Sequence, residues 1–151
     1  MTRGIESYLV PGAVNLGMRE GDAMVCVQEV AGLLRGDERV QDFEKFLGQL
    51  MAGELRDLGG EGCEIKLAHA RTDAVRTLAL AAGRTWGGNG GDGRGRLFFV
   101  AGIPVALSSE YLRVIGVVAR VCREGRSRAA LMQARTPWEF ISVLSQAERA
   151  V

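Results

Sequence analysis

The chain has 151 residues, 47% apolar and 25% charged, with a formal net charge of +1. That length suits one domain with a sizeable core, and the composition is that of an ordinary soluble globular protein. A charge so near zero excludes the broad nucleic-acid or anionic-membrane binding that a basic excess supports, and no apolar run approaches the roughly 20 residues of a membrane span, so no membrane insertion is expected.

The elements follow in chain order. Val14 and Leu16 alternate with Asn15, which predicts a short strand. From Asp22 to Arg35 the apolar positions Ala23, Val27, Val30 and Leu34 recur at helical spacing, and Gly36 supplies a left-handed stop. Asp42 caps the next helix, where Phe43, Phe46, Leu47, Leu50 and Met51 form an amphipathic face. Leu58 to Cys63 is glycine-rich and reads as loop; Ile65 and Leu67 then make a strand ending at His69. Arg76 to Ala82 and Leu97 to Ala101 are two further strands, the latter apolar throughout and suited to a central place. Three helices close the chain. Ser108 or Ser109 starts the first, which runs to about Arg123 and ends at Gly125, with the charged run from Arg120 to Arg128 as a solvated helix end. Ser127 starts the second, to about Ala134. Thr136-Pro137-Trp138-Glu139 opens the third, with Thr as cap, Pro in the first position and Glu completing a capping box. Trp138 is expected in the core beside Phe140 or Ile141. The order β-α-α-β-β-β-α-α-α predicts an α/β fold, a three-layer α/β/α sandwich with a mixed sheet, over residues 1–151 as a single domain.

The cysteines Cys26, Cys63 and Cys122 are odd in number and widely spaced, which suits reduced thiols. The opening Met1-Thr2-Arg3-Gly4 lacks the apolar stretch of a secretory leader, so a cytoplasmic location is expected. No Cys-x-x-Cys or Cys/His pairing points to a metal, and no cofactor is expected. Gly88, Gly90 and Gly93 match a dinucleotide-binding spacing, but a strand follows where that motif needs a helix, and no Lys-Ser or Lys-Thr makes a P-loop. A hairpin connection is the better reading, with a nucleotide-binding domain as the alternative.

His69 is the single histidine. Imidazole titrates near neutral pH and can serve as acid, base, metal ligand or phosphoryl acceptor. With no second histidine to share a metal or relay a proton, chemistry here would be one group on one ring nitrogen. An ordinary edge-of-strand histidine is the structural alternative.

Five segments, in order, carry a resemblance: YLVPGAVNL, VQDFEKFLGQLMAGE, EIKLAHAR, LFFVAGIPVALSSEYLRVIGVVARV and LMQARTPWEFISVLSQAE. Together the chain resembles the fructose/mannitol-type IIA domain of the bacterial phosphoenolpyruvate-dependent sugar phosphotransferase system, a group that includes the nitrogen-regulatory IIA proteins. The resemblance implies that His69 takes a phosphoryl group from a small phosphocarrier protein, HPr or its nitrogen-branch relative. The group then passes to a sugar-transporter subunit, or its presence signals to a regulatory target protein. Gly53 stands where the family has a helix-ending Arg, Ala68 where it has Pro before the histidine, and Tyr111 where many members have a second histidine before a Leu. The resemblance therefore makes Arg71 or Arg56 the substitute counter-charge. It also makes the Tyr111 phenol and Ser108, at a helix N-terminus, candidate neighbours of the phosphate. A module of the same fold that binds partners without accepting phosphate is the rival reading.

Overall fold

A computed structural model of the chain describes residues 3–59, 64–85 and 95–150, and of residues 107 and 108 the backbone alone. The elements are β1 (Val14–Met18), α1 (Ala23–Gly32), α2 (Phe43–Ala52), β2 (Arg56–Asp57), β3 (Ile65–Arg71), β4 (Ala79–Thr85), β5 (Leu97–Ile103), α3 (Ser108–Arg123), α4 (Gly125–Gln133) and α5 (Pro137–Arg149). Short 3-10 turns occupy Ile5–Ser7, Pro11–Ala13 and Val105–Leu107. Cys63 and the glycines Gly88, Gly90 and Gly93 lie outside the described residues.

The strands form one mixed sheet in the order β1-β4-β5-β3-β2. β1 is parallel to β4 and β3 to β5, whereas β4–β5 and β2–β3 are antiparallel. Because side chains alternate along a strand, each inner strand feeds two cores. On one face Ala68, Ala70, Ala79, Ala81, Phe98 and Val100 meet Val27, Val30, Phe46 and Leu50 of α1 and α2. On the other, Ile65, Leu67, Leu80, Phe99 and Ala101 meet Val114, Val118 and Val121 of α3, Leu131 of α4 and Phe140 and Leu144 of α5. The result is the expected α/β/α layering. The α1/α2 face is built largely of alanine, which lets those helices come close. A Cβ on Gly83 would lie 2.5 Å from Met18 Sδ and 2.6 Å from Val30 Cγ2.

The caps follow from the local sequence. Asp22 and Asp42 accept from the backbone N–H groups of Met24 and Lys45. Thr136 accepts from Glu139 N at 3.1 Å, while the Glu139 carboxylate takes the N–H of Arg135, one residue before the expected capping-box donor. Gly36 has φ +81°, the left-handed conformation expected there, but α1 ends at Gly32 and turns bridge the interval.

Several elements differ from expectation. β2, with two exposed residues, carries no apolar pattern and was not foreseen. β4 begins and ends three residues later than predicted, because Arg84 and Thr85 are buried strand residues despite their polarity. β3 runs two residues past His69, since Ala68 and its successors keep the N–H groups of an unbroken ladder with β5. Gly125 opens α4 instead of merely ending α3. Trp138 is 62% exposed, not in the core. α5 turns Phe140, Ile141 and Leu144 inward, and a residue two places before Phe140 lies on the opposite side of a 3.6-residue turn.

Candidate functional site

His69 lies on β3 two residues before its end, opposite Ala101 of β5. It shares the strand face of Ile65 and Leu67, so its ring turns towards α3. There it stacks on Tyr111 in the first turn of α3, with ring centroids 5.8 Å apart and planes at 28°. The imidazole is half-buried, and Tyr111 is 7% exposed. Among the described residues, His69 Nδ1 and Tyr111 Oη are both buried without a hydrogen-bond partner. A buried polar atom left unpaired costs about 1–3 kcal/mol, so two such atoms on touching side chains are not neutral packing.

Burial, and then the positive charge of Arg56, hold the His69 pKa below its ordinary 6.5. Burial raises the Tyr111 pKa, with Arg56 opposing it. Among the described residues Arg56 is thus a cation whose charge acts on both rings. It pairs across the ladder with Leu67, on the same face as His69 and one diagonal step away. Arg71 is on that face too, but its Nη2 donates to Val105 O at 2.7 Å, clasping the turn that leads into α3. The structure therefore separates the two arginines that sequence left equivalent. The side chain of Ser108 lies outside the described residues; its backbone opens α3.

Gly53 ends α2 with φ −86° and ψ 177°, extended backbone open to any residue. A Cβ there would meet His69 O at 3.7 Å and Leu50 O at 3.5 Å, ordinary contacts. The position therefore abuts the His69 backbone. Val105 and Leu112, 56% and 65% exposed, place apolar surface on the turn and helix that flank the imidazole.

Sequence reasoning missed the network that anchors the start of α3. Tyr8 Oη donates to Glu110 Oε1 at 2.9 Å, and Arg113 pairs with both Glu110 and Glu148. Arg113 and Tyr8 hold the Glu110 carboxyl below its usual range. Glu110 and Arg113 are an i,i+3 pair on one helix, but Tyr8 lies 102 residues from Glu110 and Glu148 lies 35 from Arg113, so no local pattern signals the whole network. A cavity of about 810 Å³ beside Leu16, Arg84 and Arg135 lies at the other end of the sheet, where β4 ends and β5 begins. Among the described residues no cluster of three His, Cys, Asp or Glu side chains could hold a metal ion, and no helix is long and apolar enough to cross a membrane.

No family model matches the chain, and no curated protein matches it in sequence. Solved structures do match. The nitrogen regulatory protein IIA-Ntr from Neisseria meningitidis is 24% identical, with a TM-score of 0.72, over 93% of this chain and 98% of that one. IIA mannitol from Escherichia coli is 15% identical, with a TM-score of 0.64, over 88% and 96%. The mannitol-specific cryptic phosphotransferase enzyme IIA CmtB from Escherichia coli is 11% identical, with a TM-score of 0.60, over 95% and 99%. A layered α/β chain with a mixed five-stranded sheet, it has the fold of the phosphotransferase-system IIA domains. Within that group its likeness extends to both the mannitol and the nitrogen-regulatory types.

Proposed function

We propose that this chain is a IIA-type phosphocarrier or regulatory protein that accepts a phosphoryl group on His69 from an HPr-like carrier. The observation that supports this most is the imidazole itself: half-buried, held neutral by burial and by Arg56, with Nδ1 turned inward. That leaves Nε2 for a partner from outside. A lone pair on Nε2 attacks phosphorus, the N–P bond of the carrier's phosphohistidine breaks, and its electron pair stays on the carrier nitrogen. The transfer needs positioning and charge stabilisation more than covalent help. Arg56 and the N–H groups of the first turn of α3 supply a positive surround for the incoming phosphate. The exposed Val105 and Leu112 provide an apolar rim for carrier docking. The phosphorylated state would then be passed on or read by a regulatory target in the cytoplasm.

The test is incubation with phosphoenolpyruvate, the first enzyme of the system and the carrier. The expected result is an acid-labile, base-stable gain of one phosphoryl mass, absent in His69→Ala. One observation favours the rival, a partner-binding module without phosphotransfer: Gly53 offers no side chain where the family has Arg. Absence of any mass gain in a folded wild-type protein would select that rival.

The reaction also has a predicted pH dependence. The neutral ring is the nucleophile, and its folded pKa lies below 6.5. The acceptance rate is therefore expected to stay level from about pH 8 to 6.5 and to fall only in more acid solution. The same shift makes the fold lose stability as pH drops below 6.5, because the unfolded chain then binds the extra proton. A rate profile with its midpoint above 6.5 would contradict both statements.

A further inference from the structure

We propose that one water joins His69 Nδ1 to Tyr111 Oη, and that this bridge fixes the imidazole as the Nδ1–H tautomer. The inference rests on the phosphoacceptor reading for the direction of the bond; the ring contact and the two unpartnered atoms stand without it. Two side chains in ring contact each present a buried polar atom without a partner among the described residues. Nearly all buried polar atoms in native proteins are hydrogen-bonded to protein or to ordered water. A single water held between the two rings would satisfy both atoms. A water can accept from a ring N–H and also accept from the phenol O–H, so neither polar atom is left unpaired.

The direction of the bond matters. If Nδ1–H donates to the bridging water, the lone pair of the ring resides on Nε2, the nitrogen left for a partner from outside. If Nδ1 were the lone-pair nitrogen, Nε2 would carry the proton and could not attack. Histidine tautomers are set in this way by the bond that the other ring nitrogen makes. Tyr111, at 7% exposure, packs on the imidazole, and Nδ1 is buried beside it. The network through Glu110 and Arg113 holds the first turn of α3, so the phenol is delivered by an anchored helix and not by a mobile loop. Tyr111 is thus a positioning residue that acts through the imidazole and need not touch phosphate.

A single histidine makes the test direct. In ¹⁵N-labelled wild-type protein at about pH 7.5, one imidazole correlation pattern reports the tautomer. The expected pattern has the proton on Nδ1. Tyr111→Phe is expected to populate the Nε2–H form that free histidine side chains favour. It should slow single-turnover phosphoryl acceptance by about tenfold, with the half-saturating carrier concentration unchanged. A Tyr111→His protein, with a polar ring nitrogen in place of the phenol oxygen, should recover most of the rate lost in Tyr111→Phe. A wild-type ring protonated on Nε2 overturns the proposal whether or not the variant folds, and so does a Tyr111→Phe protein that keeps the wild-type tautomer. If wild type shows the Nδ1–H form and its dependence on Tyr111 but takes no phosphate, the tautomer lock stands and the carrier reading falls.

Discussion

Arg56→Ala is expected to slow phosphoryl acceptance by His69 by about 30- to 100-fold, whereas Arg71→Ala leaves it within about threefold of wild type. The two residues look alike in sequence, one 13 residues before the histidine and the other two after it. The fold gives them different neighbours. Arg56 stands on the neighbouring strand β2, on the face of the ring, and its charge acts on both His69 and Tyr111. Arg71 is tied to Val105 O and contributes to the entry of α3. A phosphoryl group brings a charge of about −2 at neutral pH, and a missing cation or donor aimed at transferring charge costs about 10²–10³ in rate in enclosed sites. Arg56 is exposed, so screening by water and salt moves the effect to the lower end. Single-turnover transfer from labelled carrier measures it. Arg56→Lys should keep most of the rate, and the loss in Arg56→Ala should shrink as salt rises. An Arg56→Ala protein that accepts phosphate at the wild-type rate would remove this cation from the mechanism.

Phe98→Ala should lower stability by about 3–5 kcal/mol, the range for truncating a fully buried aromatic side chain. Phe98 is 0% exposed on β5, which has ladders on both sides, to β3 and to β4. A strand held on two edges cannot move in to fill the gap, so most of the cavity would persist. The surrounding face is rich in alanine, and short side chains have little reach with which to repack. A domain of this size is stabilised by about 5–15 kcal/mol in total. At about 2–4 °C per kcal/mol the melting temperature is expected to drop by about 6–20 °C. Denaturant titration should show a lower midpoint with an unchanged slope, because the loss is one of packing and not of compactness. A drop of less than about 1 kcal/mol would mean that the core collapses around the hole far more freely than a doubly paired strand permits.

The readable parts of the sequence were those where one local pattern decides the outcome. The apolar run of β5, the i, i+3, i+4, i+7 face of α2 and the Thr136-Pro137 helix start each follow from a few adjacent residues. His69 stood out because it is solitary. The unreadable parts depend on partners remote in sequence. β2 exists because Arg56 and Asp57 find β3, and nothing in an Arg-Asp dipeptide announces a strand. The limits of β4 moved because Arg84 is buried, its Nη1 donating to Leu131 O at 2.9 Å, 47 residues away. Trp138 looked like core by chemistry and is exposed by helical phase. At the candidate site, the strand and the histidine were legible. Neither the choice between Arg56 and Arg71 nor the pair of unpartnered atoms on His69 and Tyr111 could be read, since both depend on how β2 and α3 close over one strand end.

Gly53 marks a place beside the His69 strand that is open to a larger residue. Its backbone is extended, not left-handed, so nothing in the main chain demands glycine there, and a side chain would start in open contact distance of the His69 carbonyl. Glycine and arginine codons can differ by a single base. An arginine at this place would therefore meet no backbone obstacle at its first side-chain atom, and a single base change would introduce it next to the histidine strand.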